Sequence, residues 1–240
     1  MFQAKGIPKE CVDCSCDILV HMCGRFARSS KPDVIIREFG VKKTLISPEP
    51  SYNISPSQDI AVLSSKGEKQ LVTCRWGFMP SKNLTTGYKM INARSETVAE
   101  KPVFRAAFLK HRCLVIADGF FEWQKGEKKK TPYYIRLKSR RPFGFAGLYH
   151  AWTSPEREVI CTCTIITTNA NDLLAQVHDR MPVIIPKDKE DLWLDTDMHD
   201  QDILLGLLRP YPAEEMEMYP VSSNVNYPKY NSPEAVEPIV

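Results

Sequence analysis

The sequence predicts an α+β protein: a single domain around a mixed, mostly antiparallel, barrel-like β-sheet with peripheral helices. Strand-like runs rich in Val, Ile, Thr and aromatic residues outnumber helical ones. They do not alternate with helices at regular intervals, as a doubly wound α/β chain would require. The 240 residues, 43% of them hydrophobic and 25% charged, suffice to bury a substantial core. No repeat or low-complexity block interrupts the pattern.

Residues 1–21 read differently from the rest. They hold Cys11, Cys14, Cys16 and His21 close before Cys23, with no periodic apolar pattern. Structural zinc sites usually space their ligands as two separated pairs. This cluster lacks that spacing, so no metal is expected. The segment is read as a leader or disordered extension that need not persist in the mature protein, and residues 22–240 as the domain.

The elements then follow in order. Pro32–Phe39 is expected to be a helix, with proline at its start and Gly40 at its end. Ser47-Pro48-Glu49-Pro50 breaks the chain, and Tyr52-Asn53-Ile54-Ser55-Pro56 reads as a loop. Strands over Asp59–Leu63 and Gln70–Trp76 flank a turn at Lys66-Gly67-Glu68. Pro102–Lys110 is a second helix, with Phe104 and Phe108 four apart on one face. Strands follow at Arg112–Ala117, Phe120–Gln124, Tyr133–Lys138, Phe143–Leu148 and Val159–Thr168. A helix over Asn171–Val177, a strand over Val183–Ile185, helices at Asp188–Leu194 and Asp200–Leu208, and a closing strand at Met218–Val221 complete the expectation.

Composition excludes several classes of function. A net charge of +3 is too small for a polycation, so contact with an anionic polymer must come from a local patch. No apolar run approaches the ~20 residues of a membrane span, and Ile18–Val20 is too short for a secretory signal. Eight cysteines at 11, 14, 16, 23, 74, 113, 161 and 163, without such a signal, are not expected to build a disulfide framework. Cys113, Cys161 and Cys163 are read as core or sheet residues in a reducing cytosolic or nuclear compartment.

Four stretches place polar residues in apolar or aromatic company: Cys23-Gly24-Arg25, Asn92 to Glu96, Asp118 to Trp123, and His178 to Pro182. A cysteine directly after Met22 is a potential N-terminus, carrying an α-amine and a thiol on one Cα. The amine has a reference pKa of about 7.7–8.0 against about 10.4 for lysine, so much of it is neutral near pH 7. It can therefore attack an aldehyde, and the thiol can close the imine to a five-membered thiazolidine. The plain alternative is a small buried cysteine before a glycine turn.

Glu122 lies in an aromatic strand. Burial there would favour acid–base work, whereas strand alternation could equally expose it. An isolated His178 reads as a helix C-terminal cap. Asn92 reads as a loop-bridging amide, and Trp76 as core rather than a stacking platform for bases. No phosphate-cradling glycine loop or paired zinc-ligand motif is present, so no cofactor is expected.

Further pieces join these four: Tyr52-Asn53-Ile54-Ser55-Pro56, Arg75-Trp76-Gly77-Phe78-Met79-Pro80 and Pro220-Val221-Ser222-Ser223 through Val225-Asn226. In this order, from Met22 to about the end, the chain resembles the SRAP (SOS-response-associated peptidase) family, whose members shield abasic sites in DNA. The resemblance implies that Cys23 is the nucleophile toward the ring-opened C1′ aldehyde. Glu122 would serve as acid–base group for sugar opening and crosslink reversal, and His178 would handle protons on the Schiff base and sugar hydroxyl. Asn92 would hold the cysteine and the linkage. Arg25, Arg94 and Arg180 would contact phosphates, which fixes position without reading sequence, and Trp76 would pack against a neighbouring base or sugar. The implied partner is single-stranded DNA containing an abasic site, bound by a monomer away from membranes. The implied compartment is the nucleoid-containing cytoplasm in a bacterium or the nucleus in a eukaryote.

One departure matters. The family cysteine follows the initiator methionine, whereas here 21 residues precede Met22. While they remain attached, the Cys23 nitrogen is an amide and cannot form an imine. Three explanations are open: translation starts at Met22, the leader is clipped, or this member has lost crosslinking; the first two restore the chemistry. Two other readings use nearly the same residues: a cysteine peptidase with Cys23, His178 and Glu122, and a non-covalent module for damaged DNA.

Overall fold

A computed structural model describes residues 24–65, 67–80, 90–124, 130–154 and 157–239. The leader, its cysteines and Cys23 lie outside the described residues. Strand β1 (Phe26–Arg28) leads into helix α1 (Pro32–Phe39), where a proline in the first turn needs no backbone N–H. Gly40 closes the helix at φ 61°, a left-handed conformation that favours glycine. Short β2 (Lys43–Thr44) and β3 (Ser51–Ile54) precede the long hairpin of β4 (Asp59–Ser65) and β5 (Lys69–Trp76). Then come β6 (Asn92–Arg94), α2 (Pro102–Lys110), β7 (Arg112–Ala117), β8 (Gly119–Gln124) and β9 (Thr131–Leu137). The eleven-residue strands β10 (Phe143–Thr153) and β11 (Val159–Asn169) follow, then β12 (Arg180–Pro182), α3 (Glu190–Leu194), α4 (Gln201–Gly206) and β13 (Met216–Pro220).

Strands β11, β10, β7, β4 and β5 pair in that order, and a parallel contact between β5 and β11 closes them into a mixed five-strand barrel. This bears out the expected α+β, barrel-like class. A second sheet runs β13-β9-β8-β1-β3. Alternation along the barrel strands sends side chains to two faces. Val62, Trp76, Val115, Phe145 and Ile165 pack with Phe26, Phe120 and Ile135 of the second sheet. Leu63, Leu114, Leu148 and Ile166 pack on the opposite face against Ile35, Phe104, Phe108, Trp193 and Leu204 of the four helices. Among the described residues no helix is long and apolar enough to cross a membrane.

Arg112, only 3% exposed, fastens the helical layer to the barrel. Its guanidinium donates to the carbonyls of Phe108 and Leu109 in the last turn of α2 (2.8 and 2.7 Å) and of Trp193 at the end of α3 (2.8 Å). It also reaches the carbonyls of Asp195 and Met198. Two helix C-termini, each with unsatisfied carbonyls and a partial negative charge, thus share one cation.

The structure corrects four expectations. Ser51–Ile54 is a strand rather than part of a loop, because its backbone pairs with β1, setting Phe26 opposite Ile54. Asn171–Val177 forms only a short 3₁₀ turn, Leu174–Gln176. There the Asn171 side chain accepts the Leu174 N–H and donates to the Tyr211 carbonyl, which favours a local turn over a regular helix. The strand expected at Val183–Ile185 is assigned earlier, at Arg180–Pro182, paired with Thr167–Asn169 of β11. Finally, Cys74 and Cys161 form a disulfide, although no disulfides were expected. The parallel register that sets Arg75 beside Thr162 brings these cysteines, 87 positions apart, to a Cα separation of 4.5 Å. Cys113 and Cys163 are buried free thiols, as read from the sequence.

Replacing Arg112 with leucine would strand buried carbonyls at the ends of α2 and α3. A loss of roughly 2–5 kcal/mol is expected from the urea midpoint at unchanged slope. A midpoint within about 0.5 kcal/mol of wild type would show that the five hydrogen bonds do not hold the helices in place.

Candidate active site

The candidate site residues lie beside the start of β1, near the end of β8, in β6 and in the turn before β12. In the antiparallel register of β1 and β8, Phe26 faces Phe120 and Ala27 faces Gly119. On the other side of β8, Gly119 permits the close approach of β9, since a Cβ there would lie 2.4 Å from the Tyr134 ring and 2.7 Å from the Ile135 carbonyl. The Asp118 carboxylate accepts the Ser30 N–H (2.9 Å) and hydroxyl, fixing the other end of β1. Burial pushes the Asp118 carboxyl above the usual carboxylate range, against the opposing effect of those hydrogen bonds.

Continued one residue outward, the register sets Arg25 beside Phe121, and the Phe121 N–H donates to the Arg25 carbonyl at 2.9 Å. Cys23 lies outside the described residues.

Glu122 is 2% exposed, which excludes the reading of an outward-facing strand residue. Its strand is tied to the His178 turn, because the Gln124 side chain donates to the Gln176 carbonyl at 3.2 Å. The His178 Nδ1 lies 3.1 Å from the Arg180 N–H and 2.9 Å from an Asp179 carboxylate oxygen. These contacts require different states. A bare Nδ1 accepts from the amide, whereas a protonated Nδ1 donates to Asp179. Nε2 has no partner among the described residues.

Asn92, half-buried, opens β6 opposite Ile165 of β11, and Arg94 is exposed two residues on, opposite Thr167. The sequence alone does not reveal this junction, since β6 is only three residues long.

The arginines expected at phosphates differ sharply in setting. Arg25 is half-buried, and Nη1 donates to Asn53 Oδ1 (2.8 Å) and the Val225 carbonyl (2.7 Å). Its guanidinium lies 5.9 Å from the Trp123 ring centroid. Burial lowers its pKa, and among the described residues it has no carboxylate partner. Arg180 is buried and grips Glu96 through both terminal nitrogens, with further bonds to Asn169 Oδ1 (3.0 Å) and the Thr167 carbonyl (2.7 Å). The Arg180 hydrogen bond holds the Glu96 carboxyl below its ordinary range.

Two of the residues expected at DNA face inward. Arg180 is neutralised and turned inward, where it joins the Glu96 turn to β11. Trp76 is fully buried, with its indole N–H donated to the Ile91 carbonyl at 2.9 Å and its ring edge-on to Phe26. It acts in the core beneath β6 rather than as an open stacking surface. Residues given no role in the sequence, Asn53, Glu96 and Trp123, supply the contacts that set Arg25 and Arg180. An asparagine between Tyr52 and Ile54 in a strand-like alternation was the available clue to Asn53.

Comparison with known proteins matches residues 22–228 to the family described as SOS response associated peptidase (SRAP). The abasic site processing protein YoqW of Bacillus subtilis is 48% identical over 222 residues, covering 90% of this chain and 99% of that protein. The abasic site processing protein HMCES of Xenopus tropicalis is 33% identical over 226 residues, covering 80% of this chain and 67% of its own length. A crystal structure of a protein from Bacteroides thetaiotaomicron superposes with a TM-score of 0.80 at 27% identity, over 91% of this chain and all of that one. With its barrel, its site segments and these matches in agreement, the chain belongs to the SRAP family.

Proposed function

We propose that this protein is an abasic-site sensor that binds single-stranded DNA and captures the lesion covalently through Cys23 as the N-terminal residue. The observation that carries the reading is Arg25. Two residues beyond the nucleophile, it is a half-buried cation held by neutral groups, without a carboxylate partner among the described residues. Such a charge suits a phosphate. Further support comes from the buried Glu122 on the strand paired with β1, and from relatives named for abasic site processing.

The chemistry balances without a cofactor. Glu122 exchanges protons with the hemiacetal as the C1′–O4′ bond breaks, leaving an aldehyde at C1′ and a hydroxyl at O4′. The neutral α-amine of Cys23 adds to C1′, its proton passes to the carbonyl oxygen, and water departs to leave an imine. His178 handles the protons on the imine and on the O4′ hydroxyl. The Cys23 thiolate then adds to the imine carbon, nitrogen regains a proton, and the thiazolidine closes with one water lost overall. Asn92 holds the cysteine and linkage in place, while Arg25 and Arg94 hold flanking phosphates.

The peptidase in the family's description keeps a second reading in play, in which a Cys23 thiolate works with His178 as base. That chemistry needs no free amine. Chemical blocking of the N-terminus should therefore spare peptide cleavage but abolish crosslinking.

A denaturing gel of protein starting at Met22, mixed with single-stranded DNA bearing one abasic site, should show a shifted band that Cys23→Ala abolishes. Full covalent capture by Cys23→Ala would overturn the mechanism. The arginines should separate in a salt titration of binding. Arg25→Ala and Arg94→Ala should each make the slope of log affinity against log salt shallower by about one. Arg180→Ala should instead lower folding stability by about 1–3 kcal/mol, since it breaks a buried network. A full unit of slope lost with unchanged stability would return Arg180 to the DNA surface.

A further inference from the structure

Residues after β13 wrap back over the start of the chain and meet it at Asn53. This side chain is 2% exposed, and each of its polar atoms has partners. Oδ1 accepts from Arg25 Nη1, while Nδ2 lies 3.3, 3.1 and 2.8 Å from the carbonyls of Val225, Tyr227 and Tyr230. The orientation of the amide is not ambiguous. Arginine can only donate and carbonyls can only accept, so the opposite flip would lose every one of these bonds.

The Val225 carbonyl also accepts from Arg25 Nη1 at 2.7 Å, so Arg25, Asn53 and the carboxy-terminal strap form one closed unit. Other contacts pin the strap independently. Asn226 Oδ1 accepts the Trp123 indole N–H at 2.7 Å, and Asn231 Oδ1 accepts the Tyr52 N–H at 2.6 Å. Val225 and Ala235 are completely buried beneath it.

The side-chain hydrogen bonds of Arg25 among the described residues lie at Nη1; Nε is buried without a partner, and Nη2 has none among those residues. Nη2 therefore keeps N–H groups to donate to a phosphate oxygen. We infer that Asn53 is a positioning residue for phosphate binding: it couples the strap around Val225 to Arg25 and holds Nη1, so that the guanidinium offers Nη2 to DNA. Its neutrality is part of the design, because an aspartate at this position would cancel the charge offered to the phosphate. The inference rests on the DNA-binding function proposed above and adds residues 225–231 to its site.

The test is a double-mutant cycle on binding of an intact single-stranded oligonucleotide, with thermal melts alongside. Asn53→Ala and Arg25→Ala should each weaken binding roughly tenfold, and the double variant should bind no worse than Arg25→Ala. Losses that multiply to about a hundredfold would overturn the inference, because Asn53 would then act independently of Arg25. Should Asn53→Ala fail to fold, Asn53→Asp supplies the second measurement. It should bind about tenfold more weakly, with a salt slope shallower by about one, and a wild-type slope would overturn the inference. Absence of binding by the wild-type protein would overturn the proposed function itself. Binding with multiplicative losses would overturn only the role of Asn53.

Discussion

The site depends on the way strand β11 divides its two edges. Along one edge it pairs first with β10 and then with β12. Along the other it meets the end of β5 at Thr162–Cys163 and then β6 at Ile165–Thr167. The chain leaves the barrel after Trp76 and returns at Asn92, so one strand edge carries two segments in succession. Asn92, Arg94 and Arg180, two places after His178, are therefore placed relative to a single strand, and that strand is fixed by barrel closure. A slip of one residue would turn each of these side chains to the opposite face.

The buried and half-buried arginines show how surroundings decide the use of one residue type. Arg112 spends its donors on helix-end carbonyls, and Arg180 is matched by a carboxylate. Both are elements of the framework. Arg25 is held as firmly, yet its partners are an amide, a carbonyl and a ring face, none of which carries a full charge. In a half-buried setting the unmatched charge is costly unless an anion completes it. Cys23 lies only two positions before Arg25 in the sequence, so the expected anchor for DNA and the expected nucleophile are near neighbours along the chain.

Much of this architecture was legible in the sequence. Pro32–Phe39 and Pro102–Lys110 announced themselves by proline starts and apolar spacing, and both helices occupy those bounds. Arg112–Ala117 was equally plain as a run of buried residues. The burial of Glu122 was one of two possibilities, since alternation along a strand does not say which face is inside. What escaped was set by tertiary pairing. Ser51–Ile54 looked like a loop between prolines until β1 supplied its partner, and the Cys74–Cys161 bond required the register of two strands far apart in the chain. The family resemblance gave Trp76 and Arg180 contacts with DNA, although the tryptophan taken alone read as core. Only their surroundings, the Ile91 carbonyl and the Glu96 carboxylate, show that they face inward.

The central claim is that both nucleophiles of one residue join the same carbon of an abasic site. Peptide mapping by mass spectrometry, after reaction of Met22-start protein with an abasic oligonucleotide and digestion of both partners, tests it directly. The account predicts that the sugar remnant is found on the peptide beginning with Cys23, at the mass of the two parts less one water, with neither a free amine nor a free thiol on that residue. An adduct on another residue, or on the Cys23 sulfur with its amine still free, would contradict it.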